Sequence, residues 1–95
     1  MAYRILYHPR VLADDLPSLN HDLRNRIARA IDQRLPTHPS YYGEPLRHRL
    51  KGYWKVRVGD YRVVYTLLEH TVLVIAIRHR KNVYVIAPQR LIWSP

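Results

Sequence analysis

Residues 53–67 leave little choice but a β-hairpin. Tyr53-Trp54-Lys55-Val56-Arg57-Val58 and Tyr61-Arg62-Val63-Val64-Tyr65-Thr66-Leu67 are both rich in aromatic and β-branched residues. Gly59-Asp60 between two such runs is a two-residue hairpin signal. A two-residue turn sets the register, so Val58 faces Tyr61, Arg57 faces Arg62, Val56 faces Val63 and Lys55 faces Val64. Side chains alternate along a strand, which puts Trp54, Val56, Val58, Tyr61, Val63 and Tyr65 on one face and marks that face as core. Lys55, Arg57 and Arg62 share the other.

Like charges directly opposite one another destabilise a sheet. Arg57 opposite Arg62 is therefore either a solvated face whose long side chains splay apart or an anion site. In the second case three cations on a rigid sheet converge on a phosphate. Basic residues on both sides of the hairpin favour the anion site.

The charge is unevenly spread. Residues 1–45 carry six Lys/Arg against five Asp/Glu, whereas residues 46–95 carry ten against two, a balance of +8 in a chain of net charge +9. That asymmetry predicts a polyanion or an acidic protein as partner. Ninety-five residues suit a single domain over 1–95 with one modest core. The absence of cysteine excludes disulfides, a thiol nucleophile and thiolate metal ligation. No apolar run approaches the roughly 18 residues of a membrane span, and Met1-Ala2-Tyr3-Arg4-Ile5 lacks the apolar stretch of a signal peptide. The expectation is a cytoplasmic protein with no membrane partner.

Along the chain, Tyr3–Tyr7 reads as a short first strand, ended by His8-Pro9. Val11, Leu12, Leu16 and Leu19 recur at helical spacing, and Pro17 marks the end of that first helix or a tight turn. Leu23, Ile27, Ala30, Ile31 and Leu35 form the apolar stripe of a second helix, with Asn20 as N-cap and Pro36 as stop. Its arginines Arg24, Arg26, Arg29 and Arg34 read as a solvated face, with nucleic-acid contact as the second reading. Leu46–Leu50, with Arg47, Arg49 and then Lys51, is a short segment that would turn Leu46, His48 and Leu50 inward as a strand. Thr71–Ile77 is nearly all apolar and fits a central strand covered on both faces. Arg78-His79-Arg80-Lys81 caps it, and which of these residues shares the Arg57/Arg62 face depends on the parity of the preceding turn. Val83–Ala87 is open between strand and helix, and the tail Leu91-Ile92-Trp93 packs on the body or meets a partner. The resulting fold class is α+β: a small, mostly antiparallel sheet in the order β-α-α-β-β-β, with two N-terminal helices on one face.

The chemistry available is narrow. The carboxylates are scattered without metal-ligand spacing, the three glycines are isolated, and no Ser-centred nucleophile motif is present. No cofactor is expected. What remains is a cluster of Lys, Arg, His and Tyr, a set able to cleave RNA without a metal. The RNA supplies its own 2′-hydroxyl; the protein aligns the backbone, neutralises the phosphorane and moves protons. Arginine stays charged and suits the electrostatic role. Lys55 and His79 are the proton-transfer candidates.

Three segments carry a resemblance: Leu50-Lys51-Gly52-Tyr53-Trp54-Lys55-Val56-Arg57-Val58-Gly59-Asp60-Tyr61-Arg62-Val63-Val64-Tyr65, preceded by Pro45-Leu46; Ile77-Arg78-His79-Arg80; and Val83-Tyr84. Together they resemble the RelE/ParE superfamily of toxins from bacterial and archaeal toxin–antitoxin modules, over nearly the whole chain. The RelE branch cuts mRNA in the ribosomal 30S A site. The resemblance implies that Lys55 and Arg57 occupy the family's basic pair, arginine at the second position being a departure from lysine. It implies that Arg62 and Arg80 are active-site arginines, that His79 takes part, and that Tyr84 stacks on a base. Arg47, Arg49, Lys51, Arg78 and Lys81 would contact RNA. The products would be a 2′,3′-cyclic phosphate and a 5′-hydroxyl, and a cognate antitoxin would wrap the toxin. The ParE branch shares the fold and poisons DNA gyrase. A non-catalytic basic binding module is the third reading, kept open by the arginine at position 57.

Overall fold

The structure, a computed structural model, describes residues 2–91. Five strands form one sheet: β1 (Arg4–Tyr7), β2 (Glu44–Pro45), β3 (Tyr53–Val58), β4 (Tyr61–Leu68) and β5 (Thr71–His79), in the spatial order β1-β5-β4-β3-β2. β1 runs parallel to β5 and every other pairing is antiparallel. The α+β expectation is met. The β3–β4 hairpin has the register that its two-residue turn dictates, from Val58 opposite Tyr61 to Lys55 opposite Val64. Gly59 takes φ 59°, which a side chain would disfavour.

The face bearing Val56, Val58, Val63 and Tyr65 is buried against helix α1 (His21–Arg34) through Ile27 and Ile31, with Trp54 and Tyr61 at its margin. The Asn20 side chain accepts a hydrogen bond from the Leu23 N–H at 2.8 Å and caps α1, and Asp22 and Arg34 complement the helix dipole at its two ends. A short helix α2 (Pro39–Tyr42) follows, fastened by the buried Tyr65 hydroxyl, which donates to the Pro39 carbonyl.

Three segments differ from expectation in ways that have physical causes. The first helix is irregular: a π-helical turn over Val11–Asp15 runs into a 3-10 turn over Leu16–Ser18. Pro17 lacks an N–H and cannot continue an α-helical ladder. This segment lies along β5 beyond the end of β1, whose pairing stops at Val74, and Asp15 accepts a hydrogen bond from the Ile77 N–H there at 2.8 Å. Second, Leu46–Leu50 is not a strand. β2 stops at Pro45, and a 3-10 turn over His48–Leu50 follows with His48 at φ 56°. Third, β5 contains a bulge. The Glu69-His70 turn pairs Leu68 with Thr71 and the register holds to Tyr65 opposite Val74; beyond it Val64 pairs with Ala76 and Arg62 with Arg78. Ile75 is the extra residue.

β5 is the covered strand its sequence predicts: Val72 through Ile77 are all buried. The second face is closed by α3 (Val83–Ile86) and a 3-10 turn over Ala87–Arg90, whose Val83 and Ala87 pack with Leu50 on Val64, Ile75 and Ala76. Leu91 packs on this cluster, while the contact expected of Ile92-Trp93 lies outside the described residues. Among the described residues no helix is long and apolar enough to cross a membrane.

Candidate functional site

The bulge decides what stands on the basic face. Without Ile75, Arg62 would oppose Ile77; with it, Arg57, Arg62 and Arg78 form one cross-strand row over β3, β4 and β5. Side chains in such a row sit roughly 5 Å apart at Cβ, close enough for their charges to repel. The three arginines are anchored differently. The Arg78 Nε donates to the Asp15 carboxylate at 2.8 Å, a structural ion pair. Arg62 is buried, and its Nη1 donates to the Gly59 and Tyr61 carbonyls at 3.0 and 2.9 Å. Those bonds hold the guanidinium still while Nη2 and Nε keep their donors. Arg57 is exposed. Among the described residues no carboxylate pairs with Arg57 or Arg62.

One step along β3 on the same face stands Lys55. Its Nζ donates to the Tyr84 hydroxyl at 3.2 Å and lies 5.7 Å from the centre of the Tyr84 ring. The β2–β3 register brings Glu44 alongside, 3.9 Å from the same Nζ. Lys55 thus has a carboxylate within reach as well as cations. A groove of about 400 Å³ opens here, lined by Arg47, Arg49, Lys55, Tyr84 and the apolar Leu46, Leu50 and Pro88. The left-handed His48 in the turn before β3 carries Arg47 and Arg49 to this groove.

Of the residues expected in the site, the structure therefore brings together Lys55, Arg57, Arg62 and Tyr84, with Arg47 and Arg49 beside them. His79 is elsewhere. It pairs with Tyr61 across the sheet on the helix-covered face, its ring 5.5 Å from that of Tyr61, and its Nδ1 accepts from the Lys81 N–H. Arg80 lies past the end of β5, where its Nε is 3.6 Å from Asp60. Lys51 and Lys81 are exposed in turns and line no part of the groove. Among the described residues no three His, Asp or Glu side chains gather as a metal-ligand group.

Asp15 and Arg90 are the pair that sequence reasoning missed. Asp15 is fully buried and receives both Arg90 (Nη1 at 2.7 Å, Nη2 at 3.0 Å) and Arg78; Arg90 also donates to the Ile75 carbonyl at 3.0 Å. Burial pushes the Asp15 carboxyl up. The hydrogen bonds from Arg90, the Ile77 N–H and Arg78, with the charge of Arg90, outweigh burial and hold it below the ordinary range. A signal was present: Val11, Asp15 and Leu19 fall at i, i+4 and i+8, so an acid stood on the buried stripe.

Compared with known proteins, residues 5–84 match the family model of the ParE toxin of type II toxin–antitoxin systems, parDE. The chain belongs to this toxin family. Solved structures share its fold. The RelBE2 toxin–antitoxin complex of Mycobacterium tuberculosis is 26% identical with TM-score 0.76, covering 84% of this chain and 100% of that one. A double mutant of the E. coli toxin RelE in the free state is 24% identical with TM-score 0.73, covering 97% and 100%. The RelE–RelB complex of Pyrococcus horikoshii is 24% identical with TM-score 0.65, covering 84% and 97%. No curated protein matches. A toxin of the RelE/ParE superfamily is thus the identity that the sequence family and the fold agree on.

Proposed function

We propose that this toxin is an endoribonuclease that cuts mRNA in the ribosomal 30S A site by attack of the RNA's own 2′-hydroxyl. The supporting observation is the pair Arg57 and Arg62, facing each other on a rigid sheet without a carboxylate partner among the described residues, next to the Lys55–Tyr84 contact. In this reading O2′ attacks the adjacent phosphorus while the P–O5′ bond breaks. The products are a 2′,3′-cyclic phosphate and a 5′-hydroxyl. Arg57 and Arg62 take the charge that builds on the phosphorane; it is greater in the transition state than in the bound substrate, so their attraction lowers the barrier. Lys55, as the neutral amine, accepts the 2′-hydroxyl proton and becomes an ammonium that donates to the Tyr84 hydroxyl, and the exposed Tyr84 ring meets a base. Protonation of the departing O5′ comes from the solvent side of the groove. Arg47 and Arg49 hold the flanking backbone. His79, on the far face, supports Tyr61 and moves no proton.

The partner that silences the toxin is an antitoxin segment, acidic to match the +8 half, covering this face; two of the similar structures are complexes with RelB-type antitoxins. Its target places the toxin in the cytoplasm. Gyrase poisoning is the second reading, favoured by the ParE identity of the matching family model. Following mRNA integrity beside growth, in the parent and in variants with Arg57 or Arg62 replaced by Ala, separates the two. Either change relieves growth arrest while thermal melting shows a folded chain; full toxicity in both variants contradicts the endonuclease reading.

A further inference from the structure

A second basic surface lies around the edge of the sheet from this face. β2 pairs only with Trp54 and Lys55, so the outer edge of β3 is unpaired from Val56 to Val58. Between that edge and α1 runs a groove of about 280 Å³, lined by Arg26, Arg29, Arg34 and Arg57 with no acidic residue among its lining. Among the described residues, none of the four arginines is in an ion pair. The groove ends at an aromatic pair. Arg34 lies 6.0 Å over the Tyr42 ring, Tyr42 packs edge-on against Tyr41 at 5.2 Å, and Tyr41 is 80% exposed.

A fold gains nothing by leaving four guanidinium groups uncompensated beside one another and a tyrosine almost wholly in water. Both features suit a ligand that brings phosphates at regular intervals and flat faces between them. Guanidinium forks match phosphate oxygens, and aromatic rings accept any base by stacking. Arg57 lines this groove and is also the cross-strand partner of Arg62, so groove and candidate site meet at that residue.

We propose that the α1–β3 groove, with Tyr41 and Tyr42 at its end, binds single-stranded RNA flanking the segment held at the candidate site. The inference deepens the endonuclease reading and rests on it for the identity of the strand. An acidic peptide would satisfy the arginines but leaves the exposed tyrosine pair unexplained.

The test is fluorescence anisotropy of the full chain with a labelled, fully 2′-O-methylated single-stranded RNA, which can bind but offers no nucleophile. Arg29→Glu/Arg34→Glu weakens binding at least tenfold, and the slope of log affinity against log salt shrinks by about 0.7 for each phosphate no longer neutralised. Tyr41→Ala weakens it about fivefold or more with the slope unchanged, as removal of a stacking ring requires. All three positions are exposed, and far-UV circular dichroism confirms the fold; Arg34→Gln, a milder change, moves affinity in the same direction. Unchanged affinity in the charge-reversal and Tyr41 variants overturns the proposal. So does weakening that is equal for duplex RNA with no effect of Tyr41→Ala. If mRNA is cut by the parent while these variants bind RNA normally, the groove alone is wrong. If they bind poorly and the parent leaves mRNA intact, the groove stands and the endonuclease reading falls.

Discussion

At Lys55 the proposed chemistry depends on one side chain's surroundings. The Lys55 Nζ is held by the Tyr84 hydroxyl and flanked by Glu44, so its position is defined before substrate arrives. Lys55→Met removes the proton acceptor and lowers single-turnover cleavage on programmed ribosomes by a factor on the order of 10²–10⁴, the usual weight of a positioned base. Tyr84→Phe keeps the ring and removes only the hydroxyl, so its effect is smaller and KM moves less than kcat. Equal cleavage in Lys55→Met and parent removes Lys55 from the mechanism. Lys55, Arg57 and Arg62 were legible in the sequence because alternation and a two-residue turn leave no freedom in which side chains share a face. Tyr84 was legible only through family resemblance, since its contact with Lys55 spans 29 residues and depends on how α3 folds back.

At the scale of elements, two devices position the site, and neither can be read from periodicity. One is the β5 bulge: a single extra residue moves Arg78 into the arginine row and turns His79 to the opposite face. The apolar run Thr71–Ile77 reads the same with or without a bulge, because both faces are buried. The other is the Asp15 clamp, which ties the irregular N-terminal turn, β5 and the C-terminal Arg90 together. Asp15→Asn leaves Arg90 buried without a counter-charge and costs about 3–5 kcal/mol in urea unfolding at pH 7. The sign with pH follows from the depressed carboxyl. Its stabilisation is complete above the unfolded value of about 4 and is lost as pH falls through the lower folded value. The gap between parent and Asp15→Asn therefore narrows on acidification, and a gap that stays constant down to about pH 2 contradicts the clamp. The loop bearing α2 is held by a different contact. Burial pushes the Tyr65 phenol up to about 12, keeping it a neutral donor to Pro39. A Cβ on Gly43 would overlap that hydroxyl oxygen. Gly43→Ala destabilises the parent, and the penalty shrinks by at least about 0.5 kcal/mol in a Tyr65→Phe background, as a double-mutant cycle measures.

For the molecule as a whole, charge was the most informative quantity. Ten cations against two acids in residues 46–95 pointed to a polyanion or an acidic protein as partner. The structure adds a distribution that composition hides. Asp15, Glu44 and Asp60 stand against Arg78, Lys55 and Arg80, whereas Arg57 and Arg62, at the centre of the basic face, are in no ion pair among the described residues. The fold was largely legible because hairpin, capped helix and apolar strand each state their geometry locally. The path of the N-terminal turn was not, because Pro17 and a buried acid work against the helical pattern around them.

On the reading proposed above, this basic face cuts mRNA. The most direct test is controlled expression of the toxin in bacteria with mRNA 5′ ends mapped, beside an Arg62→Ala control. New 5′-hydroxyl ends within translated frames, at a fixed position relative to the codon and absent from the control, are the predicted result. Growth arrest with intact mRNA and damaged DNA would contradict the account and assign the toxin to gyrase.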